Sequence, residues 1–240
     1  MIFNKNLITH LPPLKQVEID GVRFYTAEGV GPYPSVTTVL SADKEKQKSL
    51  DSWRRRVGDD VANMVSHQAA QRGTDVHIMM EDYILGQETT KKMMPNIKEL
   101  FMGLKRFADV YIDNIMMVEG QLFSHHLRVA GTVDLVAEFD GKIAIIDWKT
   151  AAKPKKREYI TNYFMQEAAY AVMFEERTGI PVEKLVTLVA YPEGTQMFVE
   201  YRDEWIGKFM ELREMYDKEL QSNLSSACTG AELRDQRGVL

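Results

Sequence analysis

The chain has 240 residues, 45% hydrophobic and 27% charged, with a formal net charge of -5. That balance suits a globular protein with one large domain or two small ones, and it excludes a bulk polycation, so any contact with nucleic acid must come from a local basic patch. The single cysteine, Cys228, excludes intramolecular disulfides and cysteine-ligated zinc or iron–sulfur centres within the chain.

Residues 16–26, QVEIDGVRFYT, read as two short strands around Asp20-Gly21, a favoured hairpin turn. VGPYPS reads as an irregular connection, with Ser35 as the N-cap of a short helix through VTTVL. Over 48–85 the spacing is helical, with Leu50, Trp53, Val57, Val61 and Val65 on one face. Trp53 at that spacing is expected in the core. Gly73 is expected to split the segment into two helices, the second carrying Val76, His77, Met80, Glu81 and Ile84. A further helix is expected over 96–115.

The pattern then changes. A strand is expected over 117–123 and two more over 127–148, around Asp140-Gly141. A helix over 160–178, strands near 184–191 and 196–201, and a last helix over 203–220 follow. Residues 222–240 are small and polar with little periodicity, and a mobile tail is expected there. The sum is an α/β protein with helices before and after a central sheet. No apolar run approaches the roughly 18 residues of a membrane span, and MIFNKNLITHLPP lacks the apolar core of a secretory signal. The expectation is a soluble intracellular protein without a membrane partner.

Asp140-Gly141 is the strongest short hairpin signal in the chain. A two-residue turn pairs Phe139 with Lys142, and counting back pairs Glu138 with Ile143, Val136 with Ile145 and Asp134 with Asp147. Directly opposed residues share a face. Strand alternation then brings Lys149 to the face of Asp147. The other face carries Val133, Leu135, Ala137, Phe139, Ala144, Ile146 and Trp148. Two like charges opposed in such apolar strands repel, and a divalent cation removes that penalty. Hard oxygen ligands suit Mg²⁺ or Mn²⁺ better than zinc. The plainer alternative places one aspartate at a strand end in water, with Lys149 as its ion-pair partner.

Gly131-Thr-Val-Asp134, then Asp147-Trp-Lys149-Thr, then Gln166-Glu-Ala-Ala-Tyr170 resemble, in order and spacing, the motifs of the PD-(D/E)XK nuclease superfamily. The last is similar to the QxxxY signature of its RecB-like branch, and RGTDVH, ending in His77, resembles that branch's upstream histidine motif. The resemblance implies a restriction-endonuclease-like central mixed sheet flanked by helices, with an N-terminal helical addition. It implies one nuclease domain over 1–221, made of N-terminal strands and connection (1–33), a helical part (34–116) and a catalytic core (117–221).

The resemblance also implies roles. Asp134, Asp147, His77 and the Trp148 carbonyl would hold Mg²⁺ or Mn²⁺. Lys149 would orient or activate the attacking water and stabilise charge at the phosphate, and Gln166 and Tyr170 would support the site or touch DNA. The implied activity is a metal-dependent DNA exonuclease acting on single-stranded ends or flaps, with replication or recombination proteins as partners and no iron–sulfur cluster. A structure-specific endonuclease and a non-catalytic nucleic-acid-binding module are the alternatives. A bacterial or phage-infected cytoplasm or an organelle matrix is the implied setting.

Other residues carry two readings. Lys153, Lys155 and Lys156 follow the catalytic strand and are expected to bind phosphate. Arg54, Arg55 and Arg56 form a second basic cluster, helped by Arg72, and Ser35, with Thr37 and Thr38, is either a phosphate contact at a helix start or a simple cap. Glu81 is a candidate supporting partner of His77, one helical turn away. Glu119 either faces the metal or lies at a solvated strand end. His125-His126 is read as a turn rather than a metal site.

Overall fold

A computed structural model describes residues 3–89 and 94–235, with 223–235 by backbone alone. Three antiparallel strands open the chain: β1 (Lys15–Ile19), β2 (Val22–Ala27) and β3 (Val30–Pro34), in the order β1-β2-β3. Asp20 and Gly21 take φ of 52° and 75°, the left-handed pair that a tight hairpin turn needs. VGPYP, expected as an irregular connection, is a strand. It is an edge strand paired only with β2, and there the absent N–H groups of Pro32 and Pro34 are tolerated. Ser35 then caps α1 (Val36–Leu40), its side chain accepting the Thr38 N–H at 3.0 Å.

Helix α2 (Lys44–Val57) starts earlier than the apolar spacing indicated, because the Asp43 carboxylate accepts the N–H groups of Glu45 and Lys46. The break before α3 (Asp59–Leu85) falls at Gly58, with φ 86°, and α3 runs unbroken through Gly73. A helical glycine costs only about 1 kcal/mol relative to alanine, whereas φ near 86° ends a helix outright. The expected apolar face is not a core. Helix α2 buries no residue, Leu50, Val61 and Val65 are exposed, and Trp53 is only half-buried. The residues of α3 that join a core cluster are Val76, Met79, Met80 and Ile84, all in its second half.

Helix α4 (Pro95–Tyr111) buries Ile97, Leu100, Phe101 and Leu104. It ends four residues early, since 112–115 already belong to β4 (Ile112–Ser124). The main sheet continues with β5 (Val129–Phe139), β6 (Lys142–Thr150), β7 (Lys184–Tyr191) and β8 (Gly194–Tyr201), in the order β4-β5-β6-β7-β8. Among the described residues its only parallel neighbours are β6 and β7, as expected where α5 (Thr161–Thr178) makes the crossover. The sheet is therefore mixed and flanked by helices.

Two clusters cover its faces. Val36, Phe164, Tyr170, Phe174, Trp205 and Phe209 pack with Val136 and Ile145 on one side. Met80, Leu104, Leu135, Phe139, Ile146 and Trp148 form the other. Val133, expected with Leu135, joins the first cluster instead. The last helix, α6 (Arg202–Asp235), passes beyond the expected end at 220, so the expected tail is helical through Asp235, and its remainder, 236–240, lies outside the described residues. Among the described residues no helix is long and apolar enough to cross a membrane.

Candidate active site

Asp140 and Gly141 take φ of 52° and 71°, and the β5–β6 ladder runs in the expected register from Phe139↔Lys142 to Leu135↔Ile146. It stops one pair short of the two aspartates. The expected direct Asp134–Asp147 rung is absent because Asp134 Oδ2 accepts the Trp148 N–H at 3.0 Å, where a backbone carbonyl would otherwise serve. The strands part there, and both carboxylates stay at the same end of the sheet. On the other side β4 pairs Val118↔Leu135 and Gly120↔Val133, so Glu119 falls opposite Asp134. Glu119 has φ 46°, an uncommon conformation for a residue with a side chain.

Helix α3 brings His77 to this point. Its Nδ1 lies 3.4 Å from Asp134 Oδ2 and 4.0 Å from Glu119 Oε1, and its Nε2 lies 2.7 Å from the Trp148 carbonyl oxygen. Lys149 forms an ion pair with Asp147, which is 2% exposed. Asp134, Asp147, Lys149, His77 and the Trp148 carbonyl are thus brought together from two strands and one helix.

The electrostatics explain how the fold tolerates these acids. Burial, together with the charge of Asp134, pushes Asp147 up to about 6 despite the pull of Lys149. Burial alone would lower the pKa of Lys149, but Asp147 and Asp134 outweigh it and hold the ammonium above its ordinary value. Burial likewise disfavours charge on His77, yet Asp134 and Glu119 raise it to about 9. The protein offsets its own carboxylates with two cations.

One ligand atom each of His77, Glu119 and Asp134 lie within 4.8 Å of one another. Carboxylate oxygens, a carbonyl and an imidazole fit a divalent cation, provided His77 gives up its proton on binding. Glu119 is the member that the spacing left open.

Helix α5 closes the site from one face. Tyr170 is buried and packs so closely on Gly131 that a Cβ there would lie 2.9 Å from its hydroxyl oxygen. This requires the glycine of the Gly131–Asp134 motif. Burial, then the charge of Asp134, lifts the Tyr170 hydroxyl above its ordinary range, against an opposing influence of the nearby Gln166 side chain. Between them stands Glu167, which sequence reasoning missed. It is fully buried, bonded to the Thr187 hydroxyl, and Thr187 is the β7 partner of Asp147. Burial, and then Asp147, pushes its carboxyl well above the usual range. The available signal was its position three residues after Phe164 and four before Ala171, both buried.

The basic candidates divide. Arg72 comes from α3 to the end of β6, with its Nε 3.5 Å from Thr150 Oγ1. Lys153 and Lys156 are exposed and Lys155 half-buried on a loop held to β8, where the Gln196 amide bonds both the N–H and the carbonyl of Lys155. The Arg54 guanidinium binds Asp59 and Asn63 and clasps α2 to α3. Ser35 is 1% exposed, within a hydroxyl cluster with Thr37 and Thr38 that Arg23 joins. His125 Nδ1 bonds the Tyr33 hydroxyl at 2.9 Å, in keeping with a turn.

Glu81 lines a cavity of about 390 Å³ with His77 and Glu119. Burial, then Glu119 and Asp82, raises its carboxyl pKa. On the other side Lys46 and Tyr163, both missed in the sequence, border a second cleft with Gln166.

A family model for the PD-(D/E)XK nuclease superfamily matches residues 86–232. Among curated proteins, the chain is similar to "Mitochondrial genome maintenance exonuclease 1" of Homo sapiens, with 27% identity over 80% of this chain and 60% of that protein. The Xenopus tropicalis protein of the same name is 28% identical over 72% of this chain and 52% of its own length. The Mus musculus protein is 27% identical, over 80% and 61% respectively. The chain spans between half and two thirds of the length of these relatives.

Proposed function

The chain belongs to the PD-(D/E)XK nuclease superfamily, and from that membership we propose that it is a DNA exonuclease that hydrolyses phosphodiester bonds with Mg²⁺ or Mn²⁺. The observation that carries the proposal is the convergence of Asp134, Asp147, His77 and the Trp148 carbonyl beside a lysine that remains a cation. The name shared by the three relatives supports exonucleolytic cutting. Single-stranded ends or flaps are the proposed substrates, inside cells, with replication, recombination or repair as the setting and proteins of those processes as partners.

Asp134, Asp147, His77 and the Trp148 carbonyl hold the ion in this scheme, with Glu119 as a further oxygen donor. A divalent ion bound there supplies positive charge for the phosphate and lowers the pKa of a water. Lys149 gives an N–H to a phosphoryl oxygen or to the attacking water. With its pKa held high by Asp147 and Asp134 it is a donor rather than a general base. Gln166 lies near the Tyr170 hydroxyl, and Tyr170 fixes the start of the Asp134 strand through Gly131. Lys153, Lys155, Lys156 and Arg72 attract the strand through its phosphates.

Digestion of 5′- and 3′-labelled linear single strands, flapped duplexes and closed single-stranded circles, each with Mg²⁺ or Mn²⁺, tests the proposal. Linear strands and flaps are expected to lose nucleotides while circles survive. Efficient cutting of circles would replace the exonuclease with an endonuclease.

A further inference from the structure

A cleft of about 440 Å³ opens between α2 and α5, next to the catalytic residues. Gln166 borders it at the catalytic side, Tyr163 and Asn162 line it from α5, Lys46 and Leu50 line it from α2, and Asp43, the N-cap of α2, lines it with its carboxylate engaged by the Glu45 and Lys46 N–H groups. Lys46 Nζ lies 5.9 Å and Lys149 Nζ 5.1 Å from the centroid of the same Tyr163 ring. Two ammonium groups therefore share one ring, one from the catalytic strand and one from a helix otherwise remote from it.

Lys46 differs from its neighbour on the same helix. Lys48 is tied to Glu45 at 2.7 Å, whereas no carboxylate among the described residues lies within ion-pair distance of Lys46. Crowding by protein, with repulsion from Lys149 and Lys155, holds the Lys46 ammonium below its ordinary pKa against the pull of Asp43. Lys149 already has Asp147 as its partner, so the ammonium without an ion pair is Lys46, and an anion at the cleft would relieve its repulsion from Lys149 and Lys155. The cavity on the other side of the centre carries Glu81 and Glu119 and repels one. Leu50 is 51% exposed, and at the mouth of the cleft it offers apolar contact to a base or sugar.

We propose that this cleft is a nucleotide subsite in which Lys46 binds the phosphate adjacent to the one held by Lys149. The subsite rests on the nuclease reading above and specifies which side of the centre the strand occupies. Lysine serves here as a point charge on a phosphate oxygen, the Tyr163 ring lies near both ammonium groups, and Asn162, 6% exposed, is one of the polar groups of the wall, with Thr37, Ser41 and Gln47.

The test uses the full chain, short thymidine strands that each carry one neutral methylphosphonate linkage at a different position, and Ca²⁺ in place of Mg²⁺. Kd is read by fluorescence anisotropy for wild type, Lys46→Gln, Lys149→Gln and Lys48→Gln. One linkage is expected to weaken wild-type binding roughly tenfold or more, the loss for one charge-assisted hydrogen bond, and to have no further effect on Lys46→Gln. The neighbouring linkage should show the same relation with Lys149→Gln, and Lys48→Gln should match wild type.

Equal sensitivity of Lys46→Gln and wild type at every linkage would overturn the subsite, as would no measurable binding of any strand. Cleavage in Mg²⁺ or Mn²⁺ is scored separately. A wild type that binds with this pattern but releases no nucleotide refutes the nuclease reading and leaves the phosphate subsite standing.

Discussion

The two sides of the candidate centre differ in charge: one is lined by carboxylates and a histidine, the other carries two lysines, Lys46 and Lys149, with Asp43 lining its cleft and Asp147 paired with Lys149. On one, His77, Glu81 and Glu119 line a cavity that a cation would enter and a phosphate would avoid. On the other, Lys46 and Lys149 lie near the Tyr163 ring beside a cleft that Leu40, Leu50 and several polar side chains line. The end of β5 and β6 lies between them, with Asp134 turned toward His77 and Asp147 toward Lys149. Two aspartates that look equivalent in the sequence therefore face different partners. In the proposed scheme an ion held by both aspartates would meet the phosphate at this end of the sheet, with His77 on one side of it and Lys149 on the other.

Raising the pH in the presence of chelator tests the acidic side. His77 has its pKa raised from 6.5 to about 9 in the fold, so its contribution to stability is complete below pH 6.5 and is lost as pH rises through about 9. The contribution is on the order of 3 kcal/mol. Denaturant titrations should show stability falling across that window in wild type and a much flatter profile in His77→Asn. Identical profiles would remove His77 from the carboxylate cluster. With Mn²⁺ present, affinity should instead rise over the same window, because the ion displaces the imidazole proton.

A smaller effect sharpens the basic side. Replacing Lys153, Lys155 and Lys156 together by glutamine should weaken single-strand binding, and should reduce the slope of log K against log salt by up to about 2, at roughly 0.7 for each phosphate that is no longer neutralised. Anisotropy titrations over a range of salt measure this. An unchanged slope means that the loop does not touch the backbone of the strand.

Much of the site was legible, for a specific reason. A two-residue turn at Asp140-Gly141 leaves no freedom of register, so counting outward gave the β5–β6 pairing as far as Leu135↔Ile146. The count failed at the last rung, where a side chain replaced a backbone acceptor, a substitution that residue spacing does not encode. Glu119 stayed ambiguous because β4 and β5 meet through a longer turn and because β4 begins at Ile112, which puts Glu119 inside a strand expected to open only at 117. Glu167 looked like an ordinary helical glutamate, since its burial depends on α5 lying flat on the sheet.

Other errors have distinct causes. The prolines of β3 argued against a strand, yet an edge position leaves them unpenalised. The apolar row on α2 and α3 has helical spacing but nothing to pack on. Periodicity reports a face, and only the tertiary structure says what meets it. Lys46 was hidden for the same reason, because its importance comes from Tyr163 and Lys149, more than a hundred residues away.

The most direct measurement is the release of nucleotides from a labelled linear single strand by wild type, Asp147→Ala and Lys149→Ala, each with Mg²⁺ and with Mn²⁺. Wild type is expected to release nucleotides. Both variants should fall by at least roughly 100-fold, the loss typical of removing one preorganised electrostatic group, while still binding the strand. Equal, background-level release by all three proteins in both metals would contradict the assignment of Asp147 and Lys149 as the centre of a metal-dependent nuclease.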